Sequence, residues 1–281
     1  MGIPGPQRIL HRLQYEWERH KPIARPRYVP DTPRIEGRSA LDIYFPPGAT
    51  TLGAAALSPE TRAHVARVLR KLTPSEEIDN QVFFYGWGQG KFGTHWRFAD
   101  ITTVLAAAAV FLQPEAYLEI GVRRGRSASV VAATSPECAI YGFDLWVEGY
   151  AGRENPGPDF VREELDRAGH RGDVTLISGD SRATVPEFLA SRSDLFFDPI
   201  TVDGDHSVSG AAADLANTLP RLKVGGVLVF DDVRSAPLLL NLWERIVKRD
   251  RRFVTWEFTD AGTGIAAAVR VSDARPVAMM S

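Results

Sequence analysis

The chain has 281 residues, with 33 lysines and arginines against 35 aspartates and glutamates, a length for one large domain or one domain with an extension. The formal net charge of −2 leaves no electrostatic footprint for nucleic acid or an anionic membrane surface. A single cysteine, Cys138, excludes an internal disulfide framework and a multi-cysteine metal site, and fits a reducing compartment.

The first residues, Met1-Gly-Ile-Pro-Gly-Pro, lack the apolar core of a signal peptide, and the longest apolar run, Val104 to Leu112, is too short to span a bilayer. A soluble, cytoplasmic protein with no membrane partner is expected. Residues 1 to about 58 are rich in proline and arginine, and prolines at 22, 26, 30, 33, 46 and 47 preclude long helices there. An amphipathic piece at Ile9, Leu10, Leu13 and Trp17, with Tyr28, Tyr44 and Phe45, carries more apolar surface than a disordered tail usually has. The stretch is expected to form an arm that wraps the main domain or a second subunit, the latter giving a homo-oligomer.

Ser58-Pro59-Glu60 places a cap and then a proline at the first helical position, predicting a helix to about Leu72. From Phe83 to Trp96, glycines at 86, 88, 90 and 93 alternate with aromatic residues, and a flexible loop is expected, acting as a lid or substrate wall. His95 on it is a secondary candidate for touching substrate, whereas Trp87 and Trp96 are expected to pack. Gly90-Lys91 is not a phosphate loop, because Phe92 stands where that motif needs Ser or Thr. The chain therefore divides into an N-terminal arm, helix and lid over 1–98 and a main domain over 99–281.

Asp100 to Leu112 reads as an alanine-rich helix ended by Gln113-Pro114-Glu115. The next stretch organises the rest. Tyr117 to Ile120 is a buried strand with an acid near its end, Gly121 and Gly125 let the backbone bend and approach a ligand closely, and Ser127 opens a helix. The spacing Glu119-x-Gly121-x-x-x-Gly125-x-Ser127 differs from G-x-G-x-x-G and suits a pyrophosphate poorly. A plain tight turn is the competing reading.

Strand and helix then alternate. Strands at Ala139 to Phe143, Val174 to Ile177, Pro199 to Val202 and Gly226 to Phe230 are joined by helices at about Phe160 to Ala168, Arg182 to Ala190, Gly210 to Leu222 and Ala236 to Lys248. Short apolar strands with helical crossovers imply a parallel sheet covered on both faces. Phe253 to Thr259 and Ile265 to Val271 read as a closing antiparallel pair. An acid follows each parallel strand: Glu119, Asp144, Asp180, Asp203 and the pair Asp231-Asp232. Ligands of open α/β sheets bind at those strand ends, so the acids ring one crevice. Taken singly, Asp180 and Asp205 also read as helix caps or turn residues. Asp144, about 20 residues past the turn, stands where a ribose diol meets its acceptor, which suits NAD as well. Asp203, Asp231 and Asp232 follow strands expected to be neighbours and can converge on a hard, oxygen-seeking cation such as magnesium; turn capping by Asp203 and Asp231 is the alternative.

Residues from about Asp100 to Val271 resemble class I S-adenosylmethionine-dependent methyltransferases. The turn from Glu119 to Ser127 is similar to that of the catechol and caffeoyl-coenzyme A O-methyltransferases, and Asp203-Gly-Asp-His206 with Asp231-Asp232 resembles the macrolide-sugar O-methyltransferases. The resemblance implies an α/β, Rossmann-like, seven-stranded, mostly parallel sheet with helices on both faces and a reversed terminal strand, here preceded by the arm. It implies S-adenosylmethionine as cofactor, with Gly121 and Gly125 beside its methionine part, Ser127 also contacting it, and Asp144 on the ribose hydroxyls. Asp180 and Ser181 would lie by the adenine, Glu119 would order the turn near the cationic cofactor, and Asp203 would also contact it. In the catechol-type enzymes the positions of Asp203, Asp231 and Asp232 bear Asp, Asp and Asn, and the base lies three residues after the first, which is His206 here. Asp232 departs from that pattern and adds negative charge. The implied activity is methyl transfer to a hydroxyl of a small molecule, a sugar, polyol or secondary metabolite, with a divalent metal, magnesium, assisting. The other readings are a metal-free methyltransferase, with His206 then a surface loop residue, a NAD-dependent oxidoreductase, and a non-catalytic cofactor-binding subunit. Trp146 is expected to pack, close enough to Asp144 to flank the cofactor.

Overall fold

The computed structural model describes residues 14–29, 32–35, 49–149, 154–260 and 262–273. Three helices precede the sheet: α1 (Ala49–Ala56), α2 (Pro59–Leu69) and α3 (Glu76–Phe92). Helix α2 begins where its cap dictates, the Ser58 hydroxyl accepting from the Thr61 N–H at 3.1 Å ahead of a proline in the first turn.

Helix α3 is the largest departure from expectation. The aromatic and glycine stretch is not a flexible lid loop but most of this helix, followed by a single 3-10 turn at Gly93–His95. Ser75 caps it, Glu76, Glu77 and Asp79 occupy its first turn and Lys91 its last, so both ends suit the helix dipole. Packing offsets the glycine penalty. A Cβ at Gly88 would stand 2.3 Å from the Trp96 ring, so a glycine is what lets the indole lie against the helix. Trp96 stacks on Phe98 with centroids 5.3 Å apart and carries the Arg62 guanidinium 4.6 Å from its own centroid.

Next come α4 (Ile101–Leu112), β1 (Ala116–Ile120), α5 (Arg126–Thr134), β2 (Ala139–Asp144), α6 (Pro158–Ala168), β3 (Val174–Ser178) and α7 (Ser181–Ser191). The chain continues through β4 (Phe197–Val202), α8 (Val208–Thr218), β5 (Leu222–Phe230), α9 (Pro237–Trp243), β6 (Phe253–Phe258) and β7 (Ile265–Arg270). The seven strands lie in the order β3-β2-β1-β4-β5-β7-β6. Strands β1 to β5 are parallel, and β7 runs antiparallel to both its neighbours. This is the expected Rossmann-like sheet with one reversed strand.

Both faces are buried, as the period of two requires: Leu118, Ile120, Leu228 and Phe230 enter one core, Tyr117, Val227 and Val229 the other. Leu52, Ala56, Val65 and Leu69 of α1 and α2 belong to the second of these cores together with the alanines of α4, so the helices before residue 99 share a core with the sheet. Each leucine or valine among them is worth about 1.5–3 kcal/mol when fully buried. The order of strands reverses between β1 and β4, which places a crevice at their carboxyl ends.

The described part of the arm lies along its own domain. Ile35 N–H donates to the Val224 carbonyl and Val224 N–H to that of Pro33, both at 2.9 Å. Arg245 donates to the carbonyls of Arg19 and Lys21 at 2.9 Å, and Tyr28 packs beneath the Arg252 guanidinium at 3.5 Å from its ring centroid. Ile9, Leu10, Leu13, Tyr44 and Phe45 lie outside the described residues. Among the described residues no helix is long and apolar enough to cross a membrane.

Candidate active site

Loops at the carboxyl ends of the central strands, roofed by the first turns of α3, enclose a cavity of about 1360 Å³. Its floor is the turn after β1. Gly121 has φ +88°, and a Cβ there would stand 2.0 Å from the Asp203 carbonyl oxygen, so the ends of β1 and β4 meet this closely only with glycine present. Gly125, at φ +72°, precedes α5 and abuts Val161. Gly121 and Ser127 line the cavity, whereas Gly125 and Glu119 stand behind its wall.

Glu119 is fully buried. One of its oxygens accepts from the Ser127 hydroxyl, and among the described residues the other, Oε2, has no partner in full hydrogen-bond geometry, although the nearby Tyr117 hydroxyl lowers its proton affinity. Burial pushes this carboxyl up to about 8, and the neighbouring Asp203 and Asp144 add to the rise. Near neutral pH it therefore holds its proton and ties the end of β1 to the start of α5.

Asp144 closes β2 on the cavity wall. Its Oδ2 accepts from the Arg123 N–H at 2.8 Å, and its Oδ1 from the Trp146 N–H at 2.7 Å and the Asn155 amide at 3.1 Å. Arg123 and Trp146 have φ of +51° and +53°, so two residues in the left-handed region aim donors at this acid. A carboxylate accepts roughly four hydrogen bonds, which leaves capacity for a ligand. Asp180 and Ser181 line the far end. Asp180 caps α7 and pairs with the Arg182 guanidinium at 2.6 Å, which holds it below the ordinary aspartate value. Asp205 accepts from Ser207 through both oxygens and is a turn residue.

Across the cavity the sheet gathers a second group. His206 Nδ1 lies 3.0 Å from Asp232 Oδ2, and its Nε2 3.6 Å from Asp203 Oδ1. Asp203, His206 and Asp232 each offer a ligand atom, all within 4.8 Å of one another. Contact with Asp203 raises the imidazole above its ordinary value against the opposing effect of burial. Burial and Asp232 raise Asp203, and burial with both acids raises Asp231 well above the usual aspartate range. The grouping differs from the three aspartates read from sequence. Asp232 has φ +63°, which turns the backbone between the two consecutive acids, so Asp231 instead accepts from the Asp232 N–H at 2.8 Å and the Thr263 hydroxyl at 3.4 Å. Asp231 still lines the cavity.

Other residues on this wall were not singled out by sequence reasoning. Glu77 and Gln81 of α3 face Arg123 and Arg126 of the turn. Asp100 accepts from the Tyr85 hydroxyl at 2.5 Å and caps α4. The only signal for them was the Arg123-Arg124 pair inside the turn, and the sequence pattern assigns no element to residues 76–82, which hold Glu77 and Gln81. His95 is not on the cavity wall, and Trp146 packs against the core beside Asp144.

Residues 118–233 match the family described as a methyltransferase domain. Similar solved structures include the O-methyltransferase TomG of Streptomyces achromogenes, 17% identical over 83% of this chain and 97% of that one, TM-score 0.50. An O-methyltransferase of Bacillus cereus is 18% identical over 75% of this chain and 100% of that one, TM-score 0.49. The calicheamicin methyltransferase CalS11 is 20% identical over 75% and 91%, TM-score 0.48. Comparison with curated proteins gives no match. The matched span holds the glycine turn, Asp144 and both acidic strand ends, and goes against the nicotinamide and non-catalytic readings. Residues 118–233 thus match a methyltransferase domain, carried on a seven-stranded Rossmann-like sheet.

Proposed function

We propose that the protein transfers a methyl group to a hydroxyl of a small molecule, a sugar, polyol or secondary metabolite, with a divalent cation, magnesium, assisting. The observation that carries this reading is the Asp203, His206 and Asp232 group facing the cavity that also holds the glycine turn. The carboxylates fit a hard cation: Asp203 and Asp232 converge on the cavity beside His206, a third carboxylate, Asp231, lies next to them, and the acids repel one another in a partly enclosed place. Asp203, Asp231 and Asp232 would hold the ion, which when bound lowers the proton affinity of a coordinated hydroxyl.

A neutral hydroxyl is a poor nucleophile, and His206 supplies what it lacks. Its imidazole takes the hydroxyl proton as the oxygen bonds to the sulfonium methyl of S-adenosylmethionine and the carbon–sulfur bond breaks, leaving S-adenosylhomocysteine. Asp232, 3.0 Å from Nδ1, orients the ring and stabilises the imidazolium that results. A positioned base of this kind contributes about 10²–10⁴-fold. Asp144 orients the cofactor through its ribose, and Asp180 with Ser181 receives the adenine end.

That same 3.0 Å contact favours a second reading, in which Asp232 serves only His206 and no metal is needed. Labelled S-adenosylmethionine and a panel of sugars, polyols and phenols decide between them. Transfer to hydroxyl oxygen that is abolished by chelator and restored by magnesium is expected. Full transfer in excess chelator refutes the metal, and transfer only to nitrogen, sulfur or carbon acceptors refutes the reaction.

A further inference from the structure

The cavity roof is held to its floor by charge. Glu77, in the first turn of α3, accepts through Oε2 from the Arg123 guanidinium and through Oε1 from Arg126 Nη2 at 2.9 Å. One helical turn later, Gln81 Oε1 accepts from Arg126 Nη1 at 2.8 Å, while its amide donates to Asp100 at 3.1 Å and to the Thr102 hydroxyl at 3.0 Å. Both arginines belong to the turn that carries the cofactor, and Arg123 is the residue whose backbone N–H holds Asp144.

We propose that Glu77 is a positioning residue for the cofactor: by standing between Arg123 and Arg126 it holds the turn in the shape that keeps the Arg123 N–H on Asp144. The inference rests on the methyltransferase reading of the cavity. A residue in the left-handed region, as Arg123 is, stays there only where its surroundings over-determine it. The Glu77 pair is the outermost of those constraints. The two guanidiniums share one carboxylate in a partly enclosed place, and burial, together with Arg123, lowers the Arg126 value while Glu77 raises it. Without the carboxylate two like charges face each other with no other carboxylate of α3 paired to them among the described residues, and the soft point that yields is the Arg123 backbone. Asp144 then loses a donor that orients it toward the ribose. The helix itself stays docked, because Ile78 and Tyr85 are anchored in the core.

Calorimetric binding of S-adenosylhomocysteine to the full chain tests this, with melting temperature measured alongside. Glu77→Ala is expected to bind about tenfold more weakly than the parent, and Glu77→Gln, which keeps the length and one acceptor oxygen, in between. Asp79→Ala removes another acid from the same helix turn and is expected to bind like the parent, which separates the clamp from a helix-dipole effect. The Glu77→Gln, Arg126→Gln double variant removes the unbalanced cation and is expected to recover most of the affinity that Glu77→Gln loses. A role in stability alone would lower melting temperature and leave the affinity of folded protein unchanged. Equal affinities for the parent, Glu77→Ala and Glu77→Gln overturn the proposal, and Glu77→Gln decides by itself if the alanine variant does not fold. A parent that fails to bind S-adenosylhomocysteine overturns the methyltransferase reading beneath it, a result distinct from failure of the clamp.

Discussion

Replacing Glu119 by Gln tests the chemistry of the turn directly. The glutamine keeps an acceptor for the Ser127 hydroxyl and the volume of the side chain, and removes only the ability to ionise. Moving a carboxyl from an ordinary 4.5 to about 8 corresponds, at about 1.4 kcal/mol per pH unit, to at most about 5 kcal/mol of stability. Because the folded value is the higher one, the folded state keeps a proton that the unfolded chain has lost. The stability of the parent should therefore fall as pH rises from about 4.5 to about 8 and level off above that. The variant lacks this contribution. Urea denaturation of both proteins, without ligand, at pH 5, 7 and 9 is the assay. Near pH 5 the two should agree within about 1 kcal/mol, and at pH 9 the variant should be more stable by roughly 2–5 kcal/mol, the lower figure allowing for relaxation and water entry. Comparing the two proteins at each pH cancels the other titrating groups that do not contact Glu119. Curves that stay parallel from pH 5 to 9 would refute the argument that a buried, half-satisfied carboxyl carries its proton here.

Asp144→Ala should weaken S-adenosylhomocysteine binding by about 1.5–3 kcal/mol per charge-assisted hydrogen bond lost, and an unchanged affinity in a folded variant would remove Asp144 from the cofactor site. His206→Ala and Asp231→Ala should differ in kind: the first keeps metal and cofactor, loses about 10²–10⁴ in rate and loses the acidic limb of the pH profile, while the second loses metal and keeps cofactor. Equal metal affinity in Asp231→Ala would place that acid outside the ion's ligands. Gly88→Ala should cost about 1–3 kcal/mol by pushing Trp96 off helix α3, visible as a lower melting temperature, whereas Gly86→Ala, with open space at its Cβ, should not.

The parallel sheet, the glycine turn and the ring of acids were legible in the chain because each is a local signal. An apolar run has its own period, a glycine marks a backbone crossing, and an acid at or just past a strand's carboxyl end, as Asp144, Asp203 and Asp231 are, faces the crevice, whereas Glu119, one residue inside β1, is buried behind its wall. Gly121 is the clearest instance, since its need for φ +88° follows from the approach of Asp203. The helix over 76–92 was not legible: its glycines and aromatics contradict helix propensity, and only the Trp96 indole lying against Gly88, with Ile78 and Tyr85 in the core, makes that conformation favourable. The same holds within the acidic group. Sequence placed Asp203, His206, Asp231 and Asp232 at neighbouring strand ends, but a single left-handed residue, Asp232, decides which of them meet. Glu77 lies far from Arg123 along the chain, and no spacing rule connects them. Their contact exists because α3 packs over the crevice, and long-range packing of that kind is decided by the tertiary structure alone.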